Sequence, residues 1–428
     1  MYKTNQVYGV SNEMIETYIE REDVDRLFIE GLEINKHIIV YGASKQGKTY
    51  LITKHLKASD YIKVDCSPQS TALDIYKSII RQLDIEILES KETRDNINGD
   101  IKIGLKAKIR IPFLSSEGEA MASASKGREK QISYKIIDYN LNLAQDVSEL
   151  LKEIKFSKRI VLENFHYLTI DVQHQLAIDL RIFEDYNILF IILGIWREHN
   201  RLIQFNGDLL DRIIEIPVEP WQKKHLYRIV EIGLPLLNVS FENVIDQIID
   251  SCLDSVGVFQ EICKESCYAA GVFKTSEELI ILTSDHVNAA IKKKLEDYSS
   301  RHIRCIESFI EQTARTSDEI PLYIPYYFIR VLFSMSFNEV HRGIKRKLLQ
   351  EKIQQIHHRP DNVRASDIGN FAKNIVYSQI KKQISPPIFD YDYSTNSIKI
   401  IDSTFYFFIR NCDKETVLSD LNTPIGLE

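Results

Sequence analysis

The octapeptide GASKQGKT, residues 42–49, constrains this chain more than any other stretch. It follows HIIVY, residues 37–41, an apolar run of the kind that forms a strand buried on both faces. It precedes YLITKHL, which reads as a helix. The pattern G-x-x-x-x-G-K-T between a strand and a helix forms a phosphate cradle. Its glycines let the loop wrap with amide groups inward, its lysine reaches the outer phosphates, and its threonine hydroxyl can meet a magnesium ion. The candidate nucleotide-binding residues are Gly42, Ala43, Ser44, Lys45, Gln46, Gly47, Lys48, Thr49 and Tyr50, with the N-terminus of the helix facing the phosphates. ATP and Mg2+ are the implied ligands.

The surroundings support an α/β reading. YIKVDC, residues 61–66, reads as a second strand. A helix follows over 71–83, with Ala72, Ile75, Ile79, Ile80 and Leu83 on one face. After another helical pattern, IVLENFHYL, residues 160–168, reads as a buried strand ending in acid, and YNILFIILGIW supplies one more. Strands alternating with helices predict a parallel sheet covered on both faces. Glu163 stands where a carboxylate on the magnesium side belongs, so Thr49 and Glu163 are the candidate metal ligands. Asn164 stands where many P-loop ATPases keep the carboxylate that polarises the attacking water. An amide cannot accept that proton, though it can orient a water.

The alternation breaks near Ser90, and an insert is expected over about 98–136. IKIGLKAKIRIPF, from residue 101, is apolar at every odd position, and this period of two is that of a strand. LSSEGE supplies a turn, and a weaker alternation containing Ala120, Ala122 and Ala124 returns after it, so the segment is expected to be an inserted β-hairpin. Residues 101–135 hold eight Lys/Arg and three Glu. Two readings stand: a solvated charged face, or an arm that contacts a subunit, nucleic acid or a membrane surface.

The bulk numbers limit the alternatives. A chain of 428 residues with 44% hydrophobic and 27% charged residues is long enough for two or three cored domains. A net charge of -7 argues against coating nucleic acid over the whole surface and leaves room for local basic patches. The six cysteines form no Cys-x-x-Cys pair; Cys263 and Cys267, four apart in a helical pattern, read as buried thiols before a zinc site. No run offers about 18 uninterrupted apolar residues, and the first residues carry no apolar signal core, so a cytoplasmic location is expected.

The P-loop, IVLENFHYL, ERED (residues 20–23) and NGDLLDRIIEIPVEPW together resemble the AAA+/STAND-type ATPases, in particular the archaeal-ATPase and origin-recognition-like branch. The resemblance implies an Arg-Glu pair bordering the adenine, matched by Arg21 and Glu22. It implies an arginine before the last sheet strand that reaches a neighbour's phosphate, matched by Arg212; the alternative is an ion pair with Asp208 or Asp211. The chain departs from the pattern at the sensors. Arg197 is the nearest candidate for the first, and Gln260 stands where the second is usually arginine. His166 is expected to cap local structure rather than sense phosphate, and Trp196 to pack rather than stack on adenine.

Residues 221–300 read as a helical lid. Residues 301–428 read as helices followed by two strand-like runs, PIFDYDY and SIKIID, flanking a turn at 394–396, which is the order of a winged helix. Residues 341–383 carry ten Lys/Arg against three Asp/Glu. A recognition helix is expected over 366–383 with Asn370, Lys373, Asn374 and Gln379 facing DNA, and Lys345, Arg346, Lys347 and Lys381 as further candidate contacts. Use of the winged helix for protein contact is the alternative.

The resulting expectation is an ATP-binding, slowly hydrolysing switch ATPase with a core over 1–220. Its lid would couple nucleotide state to a winged helix that binds DNA or a protein partner. The resemblance implies a homo-oligomer acting in prokaryotic regulation or antiviral defence, with any effector on another chain. Two rival readings are a DNA-assembling ATPase of transposition or remodelling type and a nucleotide-stabilised protein without turnover.

Overall fold

The computed structural model describes residues 1–11, 13–83, 85–94, 102–113, 133–253, 255–311, 321–421 and 423–424. Five short strands form the central sheet: β1 (His37–Tyr41), β2 (Tyr61–Asp65), β6 (Arg159–Glu163), β7 (Phe190–Gly194) and β8 (Ile213–Pro217). Three more, β3 (Glu86–Arg94), β4 (Lys102–Phe113) and β5 (Ser133–Asn140), lie between β2 and β6 in sequence.

The central sheet runs β2-β6-β7-β1-β8, with every neighbouring pair parallel. Strand β7 therefore separates the P-loop strand from the strand that ends at Glu163. Burial follows the pleat. Ile38 and Val40 pack on one side with Phe28, Leu51 and Val161. Ile39 and Tyr41 pack on the other with Leu162, Phe183 and Ile192. Both faces are covered, so both alternating residue sets must be apolar, which is why these strands read as continuous hydrophobic runs. All five strands end at the same edge, and β1 and β6 deliver Gly42 and Glu163 there.

The insert is a three-stranded antiparallel sheet, β3-β4-β5, rather than a two-stranded hairpin. Strand β4 is the run of period two, and β3 was hidden because ILESKET has no clean alternation. The expected turn at 114–119 and Ala120, Ala122 and Ala124 lie outside the described residues.

Helices Lys223–Leu237, Ile245–Cys252 and Val256–Ala269 pack with the first half of Ser284–Ile310 around one apolar cluster that includes Leu226, Ile248 and Ile262. The short strands β9 (Val239–Ser240) and β10 (Ile280–Ile281) brace it. Cys252, Cys263 and Cys267 are buried in this cluster. The 27-residue helix Ser284–Ile310 continues past residue 300, so the expected boundary there falls inside a helix. Its later residues Ile306 and Phe309 belong to the next apolar cluster.

That cluster holds a winged helix. Helix Ile324–Ser334 is followed by β11 (Ile344–Lys345), helices Arg346–Ile356, Ala365–Lys373 and Ile375–Lys381, then β12 (Phe389–Asp392) and β13 (Ser397–Ile400) in a sheet of order β11-β13-β12. The turn between β12 and β13 contains residues 394–396, as the sequence predicts. The expected single helix over 366–383 is instead two. Asn374 sits between them at φ -96 and ψ 5, with its side chain donating to the Asn370 carbonyl at 2.9 Å. Among the described residues no helix is long and apolar enough to cross a membrane.

Candidate nucleotide site

The four variable positions of the P-loop are held by three other parts of the chain. The Ala43 amide donates to Glu219 Oε1 at 2.5 Å, just beyond β8. The Ser44 amide donates to the Ile401 carbonyl at 3.1 Å, and Ser403 Oγ donates to the Ser44 carbonyl at 2.6 Å. Lys45, at φ 59, lies against the lid helix: a Cβ added to Gly257 would stand 2.6 Å from the Lys45 carbonyl oxygen. Only glycine permits that approach. Gln46 Oε1 accepts from the Val256 amide at 3.4 Å. Gly47 takes φ +86, a conformation glycine adopts without strain, and leads into helix Lys48–His55.

The next residues supply an ammonium, a hydroxyl and their carboxylate partner. Lys48 Nζ donates to the Gly42 and Ala43 carbonyls at 2.9 and 2.6 Å. Burial lowers its pKa to about 8, against the pull of Glu219 and Glu163. Thr49 Oγ1 donates to Glu163 Oε1 at 3.0 Å, and Lys63 from β2 pairs with Glu163 Oε2. A hydroxyl and a carboxylate in contact, at the start of a helix whose first amides and dipole favour anions, form a donor set of hard oxygens that fits Mg2+ beside phosphate. Thr49 and Glu163 would hold the ion and Lys48 the outer phosphates. Bound there, the ion would neutralise phosphate charge. Tyr50 ties down the segment that precedes the core, its hydroxyl donating to the Glu13 carbonyl at 2.8 Å.

Asn164 lines the same cavity at φ 60 and ψ 30. The left-handed conformation suits Asn and Asp better than Glu. The Asn164 amide, unlike a carboxylate, cannot take a proton from water.

Arg21 is buried, its guanidinium donating to the Val218 carbonyl at 2.9 Å and lying 3.9 Å over the Trp221 ring. Both line the cavity, with Tyr18, Ile19 and Ile229 near them. This is an apolar slot with one cation, suited to a planar base. Burial lowers the Arg21 pKa, partly offset by Asp23 and Asp25. Trp221 was missed in the sequence because nothing links it to the P-loop before the fold does. Glu22 departs from expectation: it starts helix Glu22–Glu33, is 87% exposed, and pairs with Arg26 at 3.7 Å. One helical step from Arg21 turns its side chain to solvent.

The remaining candidates are distributed elsewhere. Arg212 lies at the opposite, N-terminal end of β8 and pairs with Glu184 and Asp185 rather than Asp208 or Asp211. Arg197 pairs with Glu219 at 2.7 Å and faces Tyr406, so it does not line the cavity. Gln260 lines it, but its amide donates to Thr17 Oγ1 at 3.1 Å. Trp196 is buried and stacks on Tyr41. His166 does not cap: neither ring nitrogen has a partner among the described residues. Gln379 does not face solvent. It is buried, accepting from the Ile388 and Phe389 amides at 2.7 and 3.0 Å. Lys345, Lys347, Lys373, Asn374 and Lys381 are exposed, and Arg346 is half-buried. No group of three or more His, Cys, Asp or Glu is placed to hold a metal among the described residues.

Sheet order, P-loop, lid and winged helix together make this the fold of an AAA+-type P-loop ATPase. No family model matches the sequence, and no curated protein matches it. Solved structures similar to it include a Walker-type ATPase of Pyrococcus abyssi, 15% identical over 92% of this chain and 96% of that one, with a TM-score of 0.48. Cdc6p from Pyrobaculum aerophilum is 14% identical over 92% of both chains, with a TM-score of 0.37. The Aeropyrum pernix ORC1 protein, solved in complex with DNA, is 11% identical over 94% and 93%, with a TM-score of 0.40.

Proposed function

We propose that this chain is an ATP-binding switch whose nucleotide site controls the docking of its own winged helix. The observation that carries this reading is the double contact between Ser44 of the P-loop and the Ile401–Ser403 turn. That turn joins β13 to helix Ser403–Asn411, so any change in loop geometry reaches the winged helix through two hydrogen bonds. Further contacts support the same coupling. Arg201 pairs with Asp390 of β12 at 2.8 Å, both side chains about 6% exposed. Lys399 donates to the Arg197 carbonyl at 3.1 Å, and Glu198 accepts from the Tyr393 amide at 2.9 Å.

In this reading Lys48 and Thr49 bind the phosphates and the magnesium ion, Glu163 completes the metal site, and Arg21 with Trp221 holds the adenine. The winged helix offers DNA or a protein partner the exposed Lys345, Lys347, Lys373 and Lys381. With its wing engaged by Glu198, contact through the helices and the phosphate backbone is favoured over wing insertion into a groove. A homo-oligomer that uses Arg212 in trans would first have to break the Glu184 pair.

A second reading is a nucleotide-stabilised protein without turnover. Asn164 and the Lys63–Glu163 pair favour it. Phosphate release with Mg-ATP, with and without duplex DNA and beside Lys48→Ala, separates the two. Turnover lost in the variant supports a switch that resets by hydrolysis. Retained ATP without phosphate release supports the second reading. Absence of ATP binding refutes both.

A further inference from the structure

His166 is 4% exposed, sits in the short turn Phe165–Tyr167 directly after Asn164, and lines the cavity with Lys48, Glu163 and Gly194. Neither Nδ1 nor Nε2 has a hydrogen-bond partner among the described residues. Buried imidazole nitrogens are normally paired, and leaving both unpaired costs stability, so an orphaned ring beside a binding cavity points to an external partner. The neighbours define what that partner is. Lys48 and Asn164 line the same cavity as the ring, and the charges of Lys48 and Arg201 both disfavour its protonation. Such a pocket selects an anion with acceptor oxygens.

We propose that His166 reads the terminal phosphate of a bound nucleoside triphosphate, its ring N–H donating to a phosphate oxygen. The inference rests on the nucleotide-binding reading above and deepens it. It assigns discrimination between tri- and diphosphate to this ring, a task that Arg197 and Gln260 do not take up. Burial, reinforced by Lys48 and Arg201, lowers the ring pKa to about 3, so it serves as a neutral donor. Arg201, whose charge acts on the ring, pairs with Asp390 of the wing.

The test is equilibrium binding of Mg2+ with a non-hydrolysable ATP analogue and with ADP, on the full chain, for wild type, His166→Phe, His166→Gln and Lys48→Ala. Loss of one hydrogen bond to a charged group predicts that His166→Phe weakens analogue binding about tenfold or more while ADP affinity stays within about twofold. His166→Gln, which keeps a donor, is expected to recover part of the loss. Equal weakening for both nucleotides, or no change for either, overturns the proposal. Should His166→Phe lose its cooperative thermal transition, the same comparison on His166→Gln and His166→Ala decides by the same criterion. A wild-type chain that binds neither nucleotide overturns the nucleotide-binding reading as well. Wild-type binding lost in Lys48→Ala, with unchanged discrimination in the His166 variants, sinks only the inference about His166.

Discussion

Ser403 Oγ donates to the Ser44 carbonyl at 2.6 Å, and 359 positions of sequence separate the two residues. The contact joins the phosphate loop to the first turn of helix Ser403–Asn411. From this helix Phe405 and Phe408 enter the winged-helix core while Phe407 enters the lid core. One short element thus touches all three parts of the chain, and it does so at the P-loop.

Ser403→Ala removes the donor and leaves the Ser44 carbonyl short of a partner. A buried hydrogen bond of this type contributes about 1 kcal/mol net. The expected result is a loss of that size in urea unfolding, with a native circular-dichroism spectrum before the transition. An unchanged midpoint would mean that the bond contributes nothing to docking.

Asp390→Ala acts on a more buried contact. Burial pushes the Asp390 carboxyl pKa up while Arg201 pulls it down, and removal of the acid strands a guanidinium inside the interface. Breaking one partner of a buried pair costs about 3–5 kcal/mol. The variant is expected to expose residues 389–400 to limited proteolysis well before the sheet core. Resistance equal to wild type would show that the wing is held by other means.

Glu198 makes the docked state sensitive to pH. Burial raises its carboxyl pKa to about 7, Arg201 opposes the shift, and Asp390 and Asp392 reinforce it. An acid whose folded pKa lies above its unfolded value adds stability at low pH and loses it as pH rises through the folded value. Stability is therefore expected to fall between pH 5 and about 7.5, and Glu198→Gln should flatten that slope. An identical slope in the variant would remove Glu198 as its source.

Asn164→Asp restores a proton acceptor in a backbone conformation that aspartate tolerates. General-base assistance is worth about 10²–10⁴ in rate, so phosphate release is expected to rise by at least tenfold. Asn164→Glu carries the same charge into the left-handed region at greater strain and is expected to gain less. No increase in either variant would mean that another group, or none, activates the water.

Much of this was legible in the sequence, and the limits have physical causes. HIIVY and GASKQGKT announce themselves because a buried parallel strand must be apolar on both faces and a phosphate loop needs glycine at set positions. Glu163 was legible for the same reason, as the polar end of a buried strand. Glu22 misled because chain adjacency to Arg21 says nothing about which residue a helix start turns inward. Gln379 read as a surface contact, but its amide closes the Ile388–Phe389 backbone, a tertiary role that a helical pattern does not carry. Trp221, Lys63 and the Ser44–Ser403 contact were invisible, since each depends on distant segments meeting in space.

The most direct test of the coupling is amide hydrogen exchange of residues 397–411, with and without Mg2+ and a non-hydrolysable ATP analogue, in wild type and Lys48→Ala. The coupling predicts that nucleotide changes protection in this segment about fivefold or more in wild type and leaves the variant unchanged. Protection gained at residues 42–50 with none gained or lost at 397–411 would contradict it, leaving the Ser44–Ser403 contact a static joint.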